Sequence, residues 1–169
     1  PATATLIAEL GHELALPLTP DRATALYVGL IADTGGFRFT NTSPVALTLG
    51  AELIAAGADP SELSRRVFTI RPLAAALLEG RALSSLEMVT DGVLVGTLTA
   101  DDFAQTGAAP SATDGLIDSF RDVEGVRVAV LMKESEPGVW QVSLRGNGVD
   151  VATVAAAFGG GGHRFAAGF

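Results

Sequence analysis

VRVAVLMK (Val126–Lys133) and VWQVSLR (Val139–Arg145) flank a turn signal at Glu136-Pro137-Gly138. Both runs are rich in branched apolar residues, and the Pro-Gly pair cannot continue either as regular structure. The segment is therefore predicted to be an antiparallel strand pair. Successive side chains on a strand alternate faces, so Trp140, Val142 and Leu144 share the buried one. Gln141, Ser143 and Arg145 share the other. A hydroxyl and a guanidinium two residues apart can grip a phosphate, the arginine through its planar fork. The same pattern also fits an ordinary solvated strand face.

Upstream, VLVGTLT (Val93–Thr99) reads as another strand and Thr113–Phe120 as an amphipathic helix. Downstream, Val149–Phe158 reads as a helix, followed by Gly159–Gly162 and His163. Arg164 to Ala167 suggests a second helix beginning at or just after His163. Glycine amides at a helix N-terminus form an anion site, through free N–H groups and the positive end of the dipole. A hinge or a helix cap explains the glycines about as well, and no Lys-Ser/Thr follows to make a phosphate-binding Walker loop.

The first third of the chain reads helical. Thr3–Leu10 forms a short helix ended by Gly11. Thr19-Pro20, Ser43-Pro44 and Asp59-Pro60 each present a capping residue followed by proline at the first helical position. They open helices that run to Asp33, to Ala56 and to about Thr69. Pro72–Met88 reads as one long connecting helix. The fold class is thus α/β, with a helical lobe over 1–70, a linker helix over 71–90 and a strand-rich α/β lobe over 91–169. Asp33 sits at the negative end of a helix dipole before Gly35-Gly36, where a metal ion or a basic group would stabilise it. A solvated turn aspartate is the plainer reading.

Of 169 residues, 48% are apolar and 18% charged, which marks a globular chain with a real core. The net charge of −8, with 11 basic against 19 acidic residues, argues against a duplex-DNA binder. It favours a small or short anionic ligand held by local groups. No apolar run approaches the roughly 20 residues of a membrane span. Pro1-Ala2-Thr3 lacks the basic start of a signal peptide and reads as an internal cut. There is no cysteine, hence no disulfide framework, and a cytoplasmic location is expected. Two histidines are too few for a complete two-metal hydrolytic site in this chain.

Two stretches together resemble the DHH family of phosphoesterases, in its nanoRNase/pAp-phosphatase branch, which includes cyclic-di-AMP phosphodiesterases. Ala25–Ser43 (ALYVGLIADTGGFRFTNTS) is similar to the fourth motif of the catalytic domain. Val142–Phe169 is similar to the DHH-associated domain, with Ser-Leu-Arg, a helix and a glycine loop ending in histidine. The resemblance implies two manganese ions and a metal-activated water. It implies that Asp33 is a metal ligand and that Ser143, Arg145, Gly160, Gly161, Gly162 and His163 bind substrate. Short RNA, pAp or a cyclic dinucleotide would be that substrate, and a homodimer fits the family pattern. Neither Asp-His-His nor Asp-x-Asp occurs, and Gly146 stands where relatives often carry serine. The chain is therefore expected to bind substrate without hydrolysing it alone. Two other readings compete: a non-catalytic nucleotide or RNA module like the tail of alanyl-tRNA synthetases, and a dimerisation fragment with a hinge.

Overall fold

The computed structural model describes residues 3–169. Pro1 and Ala2, on which the reading of the chain's start rests, lie outside the described residues. The chain divides into two compact units, Pro1–Ile70 and Arg71–Phe169.

The first unit contains α1 (Thr3–Glu13), α2 (Pro20–Thr34), α3 (Pro44–Ala55) and α4 (Pro60–Ser64), the last continuing into a π-helical turn at Arg65–Thr69. The proline-marked starts form as expected. Thr19 Oγ1 accepts from the Arg22 amide, Ser43 Oγ from Ala46, and Asp59 Oδ1 from Ser61 and Glu62. Helix α1 does not stop at Leu10 but runs through Gly11 to Glu13, since one glycine costs a helix only about 1 kcal/mol. Ala23, Tyr27, Leu30, Ile31, Leu49 and Leu53 form the core of this unit.

The second unit is a six-stranded mixed sheet with helices on both faces. Its strands are β1 (Glu87–Thr90), β2 (Val93–Leu98), β3 (Val128–Glu136), β4 (Val139–Gly146), β5 (Gly161–His163) and β6 (Ala166–Gly168). Their order is β1-β2-β3-β4-β6-β5. Only the β2–β3 pair is parallel. Its helices are α5 (Leu73–Ser84), α6 (Ala100–Thr106), α7 (Leu116–Arg121) and α8 (Ala152–Ala157).

The expected single helix over Pro72–Met88 is corrected here. It ends at Ser84, and Met88 lies in β1, paired with Leu94. Leu78 and Ala82 of α5 are fully buried with Leu98, Phe120, Ala129 and Leu131, so this helix belongs to the core of the second unit. Thr113–Phe120 is also shorter as a helix than expected. Pro110–Thr113 makes a 3₁₀ turn, and Gly115 in the left-handed region precedes α7. On the opposite face Leu144 and Ala167 pack under Val151 and Ala155 beside α8.

The main departure lies at the carboxyl end. No helix follows His163; Gly161–His163 and Ala166–Gly168 form a hairpin, and β6 adds to β4. Ala166-Ala167-Gly168-Phe169 offers helix-friendly alanines, but Ala167 is buried on the sheet opposite Leu144. That nonlocal pairing wins over local propensity.

Candidate functional site

In the second unit the strand register assembles the site. Directly opposite residues on antiparallel strands share a face. Arg145 is opposite Ala166, which is opposite His163; Ser143 is opposite Gly168, which is opposite Gly161. Ser143, Arg145, Gly161 and His163 therefore occupy one face, with only a methyl group and a hydrogen between the two sides. At about 4.8 Å per strand, Arg145 and His163 are about 10 Å apart along the backbone row. This is the same face that α5, α6 and α7 cover over β2 and β3. The exposed face expected for Ser143 and Arg145 is consequently half-covered.

Arg145 sits where that cover ends. Its side chain is 27% exposed, and Nε lies 3.5 Å from Asp118 Oδ1 on α7. Nη1 donates to the Leu144 carbonyl at 3.2 Å. Asp118 also faces Arg121, at 3.3 Å. Arg121 also faces Asp122, at 3.5 Å, so two guanidiniums and two carboxylates form one exposed cluster at this edge. Lys133, further along the same face, donates from Nζ to Thr113 Oγ1 at 3.1 Å.

The glycines of the loop divide by cause. A Cβ on Gly160 would lie 2.1 Å from the Gly168 oxygen, and one on Gly162 would lie 2.6 Å from the Ala166 oxygen. Gly162 also has φ of +145°. Those two are glycines because backbones pass too closely for a side chain. Gly161 meets nothing within 4 Å, so packing does not require it. It borders the open face. The anion site expected at a helix N-terminus is replaced by the edge of a sheet, since β5 is the outermost strand. An edge strand leaves backbone N–H groups without ladder partners, so amides remain on offer.

In the first unit, Asp33 is exposed on the last turn of α2. Asn41 Nδ2 donates to Asp33 Oδ2 at 3.0 Å and to its carbonyl at 3.1 Å. Behind it, Gly35, Gly36 and Phe37 all have positive φ, of 58°, 68° and 66°. Phe37 is not glycine, so its conformation costs about 1–3 kcal/mol and must be held. Buried Thr34 holds it: Oγ1 donates to the Leu30 carbonyl at 2.7 Å and accepts from the Phe37 amide at 3.1 Å. The Phe37 ring packs edge-on against Tyr27. Among the described residues no group of three or more His, Cys, Asp or Glu could hold a metal. Asp33 offers one carboxylate and does not by itself fit a two-metal centre.

Asp118, Lys133 and Asn41 were not singled out from the sequence. Strand alternation with Ala129 and Leu131 could have placed Lys133 on the site face. Nothing local marks Asp118 or Asn41, whose partners are 27 and 8 residues away respectively.

The chain is similar to several known proteins. Residues 90–169 match the DHHA1 domain. The chain is 36% identical over 168 residues to the bifunctional oligoribonuclease and PAP phosphatase NrnA of Thermus thermophilus, covering 99% of this chain and 50% of that protein. Against the NrnA of Bacillus subtilis it is 27% identical over 158 residues, covering 94% of this chain and 50% of that one. An exopolyphosphatase-related protein from Bacteroides fragilis shares the fold, with a TM-score of 0.79 at 24% identity over 89% of this chain and 45% of its own. Nearly the whole chain is thus similar to NrnA-like proteins of the DHH family, and its residues 90–169 match the DHHA1 domain. It spans about half the length of the curated relatives it matches. Among the described residues, no helix is long and apolar enough to cross a membrane.

Proposed function

We propose that this chain supplies the substrate-binding part of a metal-dependent phosphoesterase that hydrolyses short oligoribonucleotides or pAp. The observation that carries the reading is the row Arg145–Ala166–His163, beside the row Ser143–Gly168–Gly161. Arg145 supplies a fixed cation, Ser143 a hydroxyl and His163 a ring nitrogen. The small residues between them let a phosphate approach the sheet. The NrnA relatives, named as oligoribonuclease and PAP phosphatase, supply the substrate class. An acidic chain suits a short ligand, because no extended basic track draws in a long one. A cytoplasmic setting goes with such a substrate.

Manganese belongs to this reading through Asp33, one carboxylate held by Asn41 at the end of α2. In a phosphoesterase the metals would activate water and neutralise phosphate charge. The residues described here bind and orient; the 169-residue chain alone is expected to bind without hydrolysing. Cyclic dinucleotides differ from pAp in lacking a terminal phosphate, so competition between the two separates the substrates.

The test is calorimetric titration with the 5′-phosphorylated adenine dinucleotide pApA. Arg145→Ala should weaken binding about tenfold or more, as expected for loss of a charge-assisted hydrogen bond. Unchanged affinity in a folded Arg145→Ala variant would remove the row as the binding surface.

A further inference from the structure

We propose that Asp118, on α7, is a positioning residue that holds the Arg145 guanidinium aimed at the phosphate of the ligand. This rests on the phosphate-binding reading above and names the group that orients its cation. A guanidinium carries five N–H groups in one rigid plane, and it grips a phosphate best with two of them in parallel. An arginine free to swing loses rotamer freedom when it binds, and that loss comes out of the affinity. A side chain that fixes the plane beforehand avoids it.

Two contacts set the plane of Arg145. Nε lies 3.5 Å from Asp118 Oδ1, and Nη1 donates to the Leu144 carbonyl at 3.2 Å. Among the described residues, Asp118 is the one carboxylate within ion-pair distance of Arg145. The helix thus engages Nε, and the backbone engages one N–H of Nη1. Both N–H groups of Nη2 and the second of Nη1 remain. These two neighbouring nitrogens form the end of the fork, which is the pair that bidentate phosphate recognition uses.

Asp118 can act this way because its own place is fixed. Leu116, Ile117 and Phe120 of α7 are buried in the core of this unit. Asn147, two residues beyond Arg145, donates from Nδ2 to the Arg121 carbonyl at 3.0 Å and to the Val126 carbonyl at 2.8 Å. One side chain just past β4 therefore ties the end of α7 to the strand that carries Arg145. On the helix itself, Arg121 Nη1 stands 3.3 Å from the same Asp118 oxygen, an i, i+3 pair that steadies the carboxylate. A carboxylate on an anchored helix makes a rigid cation of a flexible one.

The test titrates the 169-residue chain with pApA by calorimetry. Asp118→Ala should weaken binding about three- to fivefold, the range that an ion pair this exposed supports. Asp118→Glu should recover most of that loss, and Asp118→Ala should add nothing in an Arg145→Ala background. The role also shows without ligand. The NMR order parameter of the Arg145 Nε–H bond, assigned by its absence in Arg145→Ala, should fall in Asp118→Ala. Unchanged or tighter binding in Asp118→Ala, the same loss with Arg145 already removed, or an Arg145 Nε–H bond as ordered as before overturns the proposal. Arg145→Ala separates the two ideas. If it weakens pApA binding while Asp118→Ala does not, positioning fails and the phosphate site stands; if Arg145→Ala leaves binding unchanged, the phosphate site itself fails.

Discussion

Arg145 and His163 stand on either side of Ala166 in a single row across three strands, although 18 residues of chain separate them. If both grip the same phosphate, their contributions are coupled. Arg145→Ala and His163→Ala should each weaken pApA binding, and the double variant should lose at least 0.5 kcal/mol less than the sum, on the order seen for residues sharing a partner. Strict additivity in calorimetric titrations would mean that the two side chains serve different groups.

The glycine run makes opposite predictions for neighbouring positions. Gly162→Ala forces a Cβ against the Ala166 oxygen and Ala167, so thermal unfolding should shift down by several degrees. Gly161→Ala meets nothing in the fold and should leave the unfolding temperature within a degree or so. It should nonetheless weaken pApA binding, because the added methyl stands on the open face. Loss of stability in Gly161→Ala would tie this glycine to folding and not to ligand approach.

Phe120 fills the core beneath β2, where Gly96 leaves room for its ring. A Cβ on Gly96 would lie 2.5 Å from Phe120 Cε2. Phe120→Ala should cost about 3–5 kcal/mol in urea unfolding. Gly96→Ala should also destabilise in the wild-type background and be better tolerated beside Phe120→Leu. An additive double variant would deny the contact.

Acid sensitivity should centre on the start of α6. Thr99 Oγ1 accepts from the Asp102 amide while Asp102 Oδ2 accepts from the Thr99 amide, a reciprocal cap. The Thr99 amide bond, ahead of the hydroxyl bond and Arg81, holds the Asp102 carboxyl below its ordinary value. Glu134 is lowered as well, by the amides of Gly138 and Ala100. A carboxyl with a lower pKa folded than unfolded stabilises the fold above its unfolded pKa. That stabilisation is lost as pH falls through the folded value. Unfolding followed from pH 7 down to 3 should steepen in loss of stability below about pH 4. Asp102→Asn should cost about 1 kcal/mol at pH 7 and flatten that acid limb.

Thr34 holds a strained loop from within. Thr34→Val keeps the shape but removes a hydroxyl that donates to Leu30 and accepts from Phe37. A loss of about 1–3 kcal/mol in denaturant unfolding is expected, since the Phe37 amide loses its acceptor. An unchanged midpoint would show that the loop does not depend on this bond.

Much of the local structure was legible beforehand because its causes are local. Thr19, Ser43 and Asp59 cap helices through amides two or three residues away, so a cap followed by proline suffices to find them. The β3–β4 hairpin was equally plain, with alternating branched residues on both sides of Pro137-Gly138. Met88 was misplaced on a helix because alanine and leucine upstream favour one. Pairing with Leu94 decided otherwise.

By itself the sequence determined the α/β character, the helix starts, the face shared by Ser143 and Arg145, and the family resemblance carried by Ala25–Ser43 and Val142–Phe169. The tertiary structure alone decided what the glycine run is. Its residues form a strand because Ala167 can be buried opposite Leu144 only if β6 pairs with β4, a contact more than 20 residues long. The same pairing brings His163 into line with Arg145, and α7 brings Asp118 to the guanidinium. Such contacts depend on closing long loops around a common core, and no short window of residues contains them.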